Sequence, residues 1–134
     1  MLGGDQPRAS VPGEITIDHP DGWYSYAAKY VDDSGVQTRI PAALTPEQAD
    51  AVQRLALATF QTLECDGLAR VDLFLDKSGA LYVNEINTLP GFTAISMFPK
   101  LWQASGVPAA ELMTILIDDA LVRAERKRAR RSSV

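Results

Sequence analysis

Apolar and polar residues alternate with a period of two through LARVDLFL (Leu68–Leu75) and again through ALYVNEIN (Ala80–Asn87). Between them stands the turn-rich tetrad DKSG, Asp76 to Gly79. The pattern predicts a β-hairpin, because strand side chains point to opposite faces in turn. A period near 3.6 takes over in TPEQADAVQRLALATFQTLECDG, Thr45 to Gly67. Thr45 is placed to cap this helix, Pro46 suits its first turn, Gln48 completes a capping box, and Gly67 lies just past its end. Its expected buried stripe is Val52, Leu55, Ala56, Phe60 and Leu63. PKLWQASG predicts a short helix ending at Gly106. Pro108 opens a last helix with Leu112, Ile115, Leu116 and Leu121 as core positions. Residues 1 to 26 are loop-like, apart from a strand near Glu14–Ile17, and VQTRIP (Val36–Pro41) reads as another strand. The order of elements predicts an α+β fold, an antiparallel sheet with flanking helices.

A length of 134 residues suits one domain with a real core, and a hydrophobic share of 46% is ordinary for a globular chain. No apolar run is long enough to span a membrane, and the polar, turn-rich first thirty residues do not read as a signal peptide. The single cysteine, Cys65, excludes an internal disulfide framework, fits a reducing cytoplasm, and is expected as a small buried apolar side chain. His19, in the turn DHPDG, is expected to be solvated. Charge is uneven: from Arg123 onward six basic residues meet one acid, so the rest of the chain carries about −9 against a total of −4. A nucleic-acid partner would need a wider basic or aromatic patch, and none accompanies this tail, residues 123–134. It reads as the solvated end of the last helix, where cations also suit the helix dipole.

The hairpin carries the chemistry. With a loop of Asp76 to Gly79, Leu75 pairs with Ala80, Arg70 lies opposite Glu85, and Asp72 lies opposite Val83. Arg70, Asp72 and Phe74 then share one face with Leu81, Val83, Glu85 and Asn87, and the two acids are diagonal neighbours. Three oxygen donors, Asp72, Glu85 and Asn87, converge beside one arginine. Such a set suits a hard cation shared with phosphates, with Arg70 as a fork for a transferring phosphoryl group. It equally suits a salt-bridge lattice on a solvated face, and spacing alone does not separate the two. In the following NTLPGF, Gly91 is expected to take unusual backbone angles and to bring its N–H toward a ligand, as an oxyanion donor does. Thr93 and Ser96 add hydroxyls. Ser96 either caps the short helix or offers a carboxylate site. No Walker loop and no G-x-G-x-x-G is present.

On these residues the sequence resembles the C-terminal part of D-alanine–D-alanine ligases, of the ATP-grasp superfamily. The resemblance runs through ASVPGEI, YSYAAKY, IPAAL, ARVDLFLD, NEINTLPGFTAISMFPKLW and SGV, with Asn84 to Trp102 the most specific block. It implies an ATP-grasp C-terminal subdomain. It also implies ATP-dependent joining of two D-alanines through an acyl phosphate for peptidoglycan precursors. Asp72 and Glu85 match ligands of one Mg²⁺, and Glu85 and Asn87 those of a second, with Mn²⁺ as a substitute. Arg70 matches the arginine at the transferred phosphoryl group, and Gly91 an oxyanion donor. Ser96 and the Met97 backbone match the second substrate's carboxylate site. Lys29, Asn84 and Glu85 match the ATP side. Tyr30 matches the tyrosine of a lid over residues 20–31. A cytoplasmic, homodimeric full-length enzyme is implied too.

Family members are more than twice this length. Met1 falls where the family has the end of a strand, so the chain is expected to begin inside a folding unit, without the N-terminal domain and most of the central one. The Trp23, Tyr24 and Tyr26 cluster would read as a staple over the core without the resemblance, and as a water-excluding lid with it. Two other readings stand beside the dipeptide ligase. One is a ligase of D-alanine with D-lactate, which the Lys29–Tyr30 pair disfavours. The other is an inactive truncated fragment.

Overall fold

The computed structural model describes residues 1–4, 6–17 and 36–131. In chain order these form β1 (Glu14–Ile17), β2 (Val36–Arg39), α1 (Pro46–Thr62), β3 (Arg70–Leu75), β4 (Leu81–Asn87), α2 (Met97–Ala104) and α3 (Ala109–Arg131). The α+β arrangement is as the sequence predicts, with the strands in two antiparallel pairs, β1–β2 and β3–β4.

The start of α1 follows the capping pattern. Thr45 Oγ1 accepts the Gln48 N–H at 3.2 Å, and Gln48 Oε1 accepts the Thr45 N–H at 3.0 Å. Two otherwise unpaired donors are thereby satisfied. Ala56 and Phe60 are buried as expected, but Leu63 is 56% exposed. The helix ends at Thr62, so Leu63 lies beyond the turn that would return it to the core. Leu121 is also exposed, against expectation. It falls four residues after Ile117 and eight after Met113, which are exposed too, and these three share a stripe apart from the buried Leu112.

Two apolar clusters meet at the N-terminus. Met1, Ala56, Phe60 and Ala69 pack with Leu57, Val71 and Ile86 between α1 and the hairpin, and Cys65 is half-buried at its margin. Leu2, Phe98, Trp102, Val107 and Leu112 pack with Leu68, Ile115 and Leu116 between α2 and α3. Met1 and Leu2 point into different clusters, as neighbours in an extended segment must. That segment runs beside the lead-in to β3. The Met1 amine donates to Ala69 O at 2.7 Å, and Leu2 bridges Leu68 in antiparallel fashion. Burial strips water from the amine and lowers its pKa from 8.0 to about 5.

Residues 10–13 cross from α1 to α2. Ser10 O accepts from Gln53 Nε2 at 2.9 Å, and the Val11 N–H reaches Ser105 Oγ at 2.8 Å. At Gly13 an added Cβ would lie 2.8 Å from Leu101 Cδ2 and 2.9 Å from Met97 Cε, so this segment braces the start of α2. Among the described residues no helix is long and apolar enough to cross a membrane.

Candidate active site

The hairpin differs from its expected register in two places. Its loop has one more residue: Leu75 pairs with Leu81, and the Asp76 N–H donates to Ala80 O at 3.0 Å. Asp76 organises this loop. Its Oδ1 accepts from Ser78 Oγ at 2.6 Å, Ser78 N at 2.8 Å and Ala80 N at 2.9 Å. These bonds, the Ser78 hydroxyl foremost, hold the carboxyl below its usual range. Gly79 takes φ 88°, where a side chain would be strained.

The second difference is a β-bulge. Leu73 faces Val83, but Asp72 faces Glu85, Val71 faces Ile86, and Arg70 faces Asn87. Asn84 is the extra residue on β4. The expected pairs Arg70–Glu85 and Asp72–Val83 are therefore replaced. Each difference slides the strands by one residue, and together they slide them by two, which preserves the facing of Glu85 and Asn87. Leu81 and Val83, expected beside them, turn to the other face with Val71 and Ile86. Tyr82 takes their place beside Phe74.

The result is a tighter site than the diagonal arrangement. Asp72 and Glu85 are direct cross-strand partners. Arg70 Nε and Nη2 grip Asp72 Oδ1 and Oδ2 at 2.7 and 2.8 Å, and Nη2 reaches Glu85 Oε1 at 3.4 Å. These side chains are 28%, 32% and 50% exposed for Arg70, Asp72 and Glu85. Two carboxylates against one guanidinium leave a formal charge of −1, and every candidate donor is a hard oxygen, so a divalent cation fits the set. The salt-bridge lattice that the sequence left open is also present. Arg70 occupies both Asp72 oxygens.

Asn87 ends the strand and starts the turn. Its Oδ1 accepts the Leu89 N–H at 2.9 Å and keeps a second lone pair. Gly91 does not take the left-handed backbone angles expected of it. Its lack of a side chain answers a close approach instead: a Cβ there would lie 2.8 Å from Ser96 Oγ. Ser96 stands at the N-cap of α2, yet its side chain makes no capping bond. Its Oγ accepts the Thr93 N–H at 3.1 Å and lies 2.9 Å from Thr93 Oγ1. Met97 is the first residue of α2, where position denies its N–H an intrahelical acceptor.

The structure thus gathers Arg70, Asp72, Glu85 and Asn87 on one face, and leads from Asn87 directly into the Gly91–Met97 turn. Lys29, Tyr30 and the 20–31 segment lie outside the described residues. The bulge and the exposed pair Phe74–Tyr82, 61% and 55% exposed, were missed in the sequence. For the pair, though not for the bulge, aromatics near the acids in both strands were the available signal. A cavity of about 350 Å³ lies elsewhere, between the N-terminal segment and α3, lined by Leu2, Arg8, Asp119 and Arg126 among others.

The family model for the D-ala D-ala ligase C-terminus matches residues 1–118. The chain belongs to the D-alanine–D-alanine ligase family, in its C-terminal part. It is 51% identical to the D-alanine–D-alanine ligase of Shouchella clausii (strain KSM-K16) over all of this chain and 36% of that protein. It is 50% identical to D-alanine–D-alanine ligase A of Escherichia coli (strain K12) over 92% of this chain and 33% of that one. Among solved structures, the D-alanine–D-alanine ligase from Coxiella burnetii superposes with a TM-score of 0.78 and 37% identity over 98% of this chain and 33% of that chain. The VanG D-Ala:D-Ser ligase from Enterococcus faecalis gives 0.75 and 31% over 87% of this chain and 33% of that one. The chain therefore spans about a third of the length of these ligases. Its fold is that of the C-terminal subdomain of an ATP-grasp ligase.

Proposed function

We propose that this chain supplies the C-terminal catalytic part of an ATP-dependent ligase that joins two D-alanines for peptidoglycan precursor synthesis. One observation carries the reading. Asp72 and Glu85 oppose each other across the hairpin, bridged by Arg70, and Glu85 sits on the strand that leads through Asn87 into the Gly91–Ser96 turn. That layout supports a reading in which phosphate-handling oxygens and acyl-handling donors follow one another along one path.

In this reading the first D-alanine carboxylate attacks the γ-phosphorus of ATP, and ADP leaves. The amine of the second D-alanine attacks the acyl carbon, loses a proton, and phosphate departs. Arg70 releases Asp72 and turns its fork to the transferring phosphoryl oxygens. The Gly91 N–H donates to the oxygen that gains charge at the acyl carbon. Ser96 Oγ and the Met97 N–H hold the acceptor's carboxylate. Asp72 and Glu85 would hold one Mg²⁺, and Glu85 and Asn87 a second, where the ions would neutralise phosphate charge. Lys29 and Asn84 are assigned to the ATP side, and Tyr30 to the lid. The full-length enzyme of this reading is a cytoplasmic homodimer.

A second reading changes only the acceptor. It is favoured by the likeness to a D-Ala:D-Ser ligase, and it leaves the first half-reaction unaltered. The test for both is a chimera in which this chain replaces the matching C-terminal third of the Shouchella clausii ligase. D-alanine-dependent phosphate release and product analysis with D-alanine, D-serine and D-lactate assign the acceptor. Glu85→Gln should abolish release while leaving the circular dichroism spectrum unchanged. A variant keeping more than about a tenth of the rate, a barrier change under roughly 1.4 kcal/mol, overturns the assignment.

A further inference from the structure

We infer that Thr93 is a positioning residue for the acceptor substrate, because it turns the Ser96 hydroxyl into an obligate donor. The inference rests on the reading of Ser96 as the acceptor-carboxylate site. A serine hydroxyl has one proton and two lone pairs. The Thr93 N–H occupies one lone pair of Ser96 Oγ at 3.1 Å. Thr93 Oγ1 lies 2.9 Å from the same atom, and either hydroxyl can donate across that distance. A carboxylate accepts only, so its arrival selects one direction: Thr93 Oγ1–H donates to Ser96 Oγ, and Ser96 Oγ–H donates to the carboxylate. Both lone pairs of Ser96 are then taken, and its proton can point only outward. Charge on the acceptor polarises the chain and strengthens both links.

Two further observations support this role. Ser96 occupies the N-cap of α2 but makes no capping bond with its side chain, so the hydroxyl is withheld from the use its position favours. Gly91 leaves the space beside Ser96 Oγ that a Cβ would fill from 2.8 Å. The hydroxyl is thus steered by Thr93 on one side and unobstructed on the other. Thr93 is itself exposed, so its hydroxyl does not serve the core.

The test uses the same chimera and separates KM from kcat for the second D-alanine. Thr93→Val keeps the shape and the N–H but removes the hydroxyl. It should raise the acceptor KM about five- to tenfold, the loss of one hydrogen bond in a charged chain, with kcat and the KM for ATP within about twofold. Thr93→Ser should restore the parent value. Ser96→Ala separates the two ideas. If it leaves the acceptor KM unchanged, the reading of Ser96 fails and this inference with it. If Ser96→Ala raises that KM and Thr93→Val does not, Ser96 stands and the role of Thr93 is overturned. Equal changes in all three parameters on Thr93→Val would show a structural effect and overturn it as well.

Discussion

The amine of Met1 makes stability depend on pH in a direction opposite to that of an ordinary salt-bridged base. In the 134-residue polypeptide this nitrogen is buried against Ala69 O, and burial lowers its pKa from 8.0 to about 5. The cause is desolvation, which penalises the charged form. Between pH 5 and pH 8 the unfolded chain therefore binds a proton that the folded chain refuses. Stability rises with pH wherever the unfolded state holds more protons, so it should climb from pH 5 to pH 8 and level off above. At about 1.36 kcal/mol per pKa unit, the deficit is roughly 1 kcal/mol at pH 7 and grows to about 3–4 kcal/mol toward pH 5. That is a large share of the ~5–15 kcal/mol that holds a domain together. Urea denaturation across this range, run on the free-amine chain and on an N-acetylated one, isolates the effect, since acetylation removes the titration but keeps an N–H for Ala69. The free-amine chain should show the steeper slope. Equal slopes in the two forms would refute the argument, whatever their absolute stabilities.

Two other outcomes follow from the packing and from the chain's share of the family's length. Phe60→Ala removes a side chain only 1% exposed between α1 and the hairpin, and should lower the denaturation free energy by about 3–5 kcal/mol; a loss under roughly 1 kcal/mol would show that this cluster is not a core. The purified 134-residue chain, given ATP, Mg²⁺ and D-alanine, should form no dipeptide above that of its Glu85→Gln variant, because three reactants must be oriented together and the chain spans about a third of the ligases it matches. Dipeptide formed at a rate near that of the complete Shouchella clausii enzyme would contradict it.

Local chemistry made much of the fold legible. The capping box at Thr45 and Gln48 and the period-two runs of β3 and β4 are written in neighbouring residues, and these appear where the sequence places them. Register is less local. Alternation says which residues share a face only while the strand is unbroken, and nothing around Asn84 announces the bulge. The grouping of Arg70, Asp72, Glu85 and Asn87 survived because the longer loop and the bulge each shift the pairing by one. Leu63 and Leu121 were misplaced because helical periodicity does not say where a helix stops, or which of two apolar stripes meets a neighbour. At Gly91 the expected unusual backbone angles are absent, and a close approach takes their place. The glycine's requirement is set by Ser96, five residues away, and not by its own backbone.

The Asn84 bulge also makes the hairpin count in odds and evens. With the loop end held at Leu75–Leu81, straightening the bulge so that Asn84 paired with Asp72 would pair Val71 with Glu85 and Arg70 with Ile86. The carboxylate would then turn toward Phe60, and the isoleucine would turn to water. Deleting Asn84 itself would take out the extra residue and leave every remaining pair, Asp72 with Glu85 included, as it stands. Across relatives of this chain, a single deletion within β4 should therefore fall at position 84, where it removes the bulge and no pair. A lone deletion of Ile86 would instead set Asn87 opposite Val71 and exchange outside for inside, without altering the chemical character of any residue that remains.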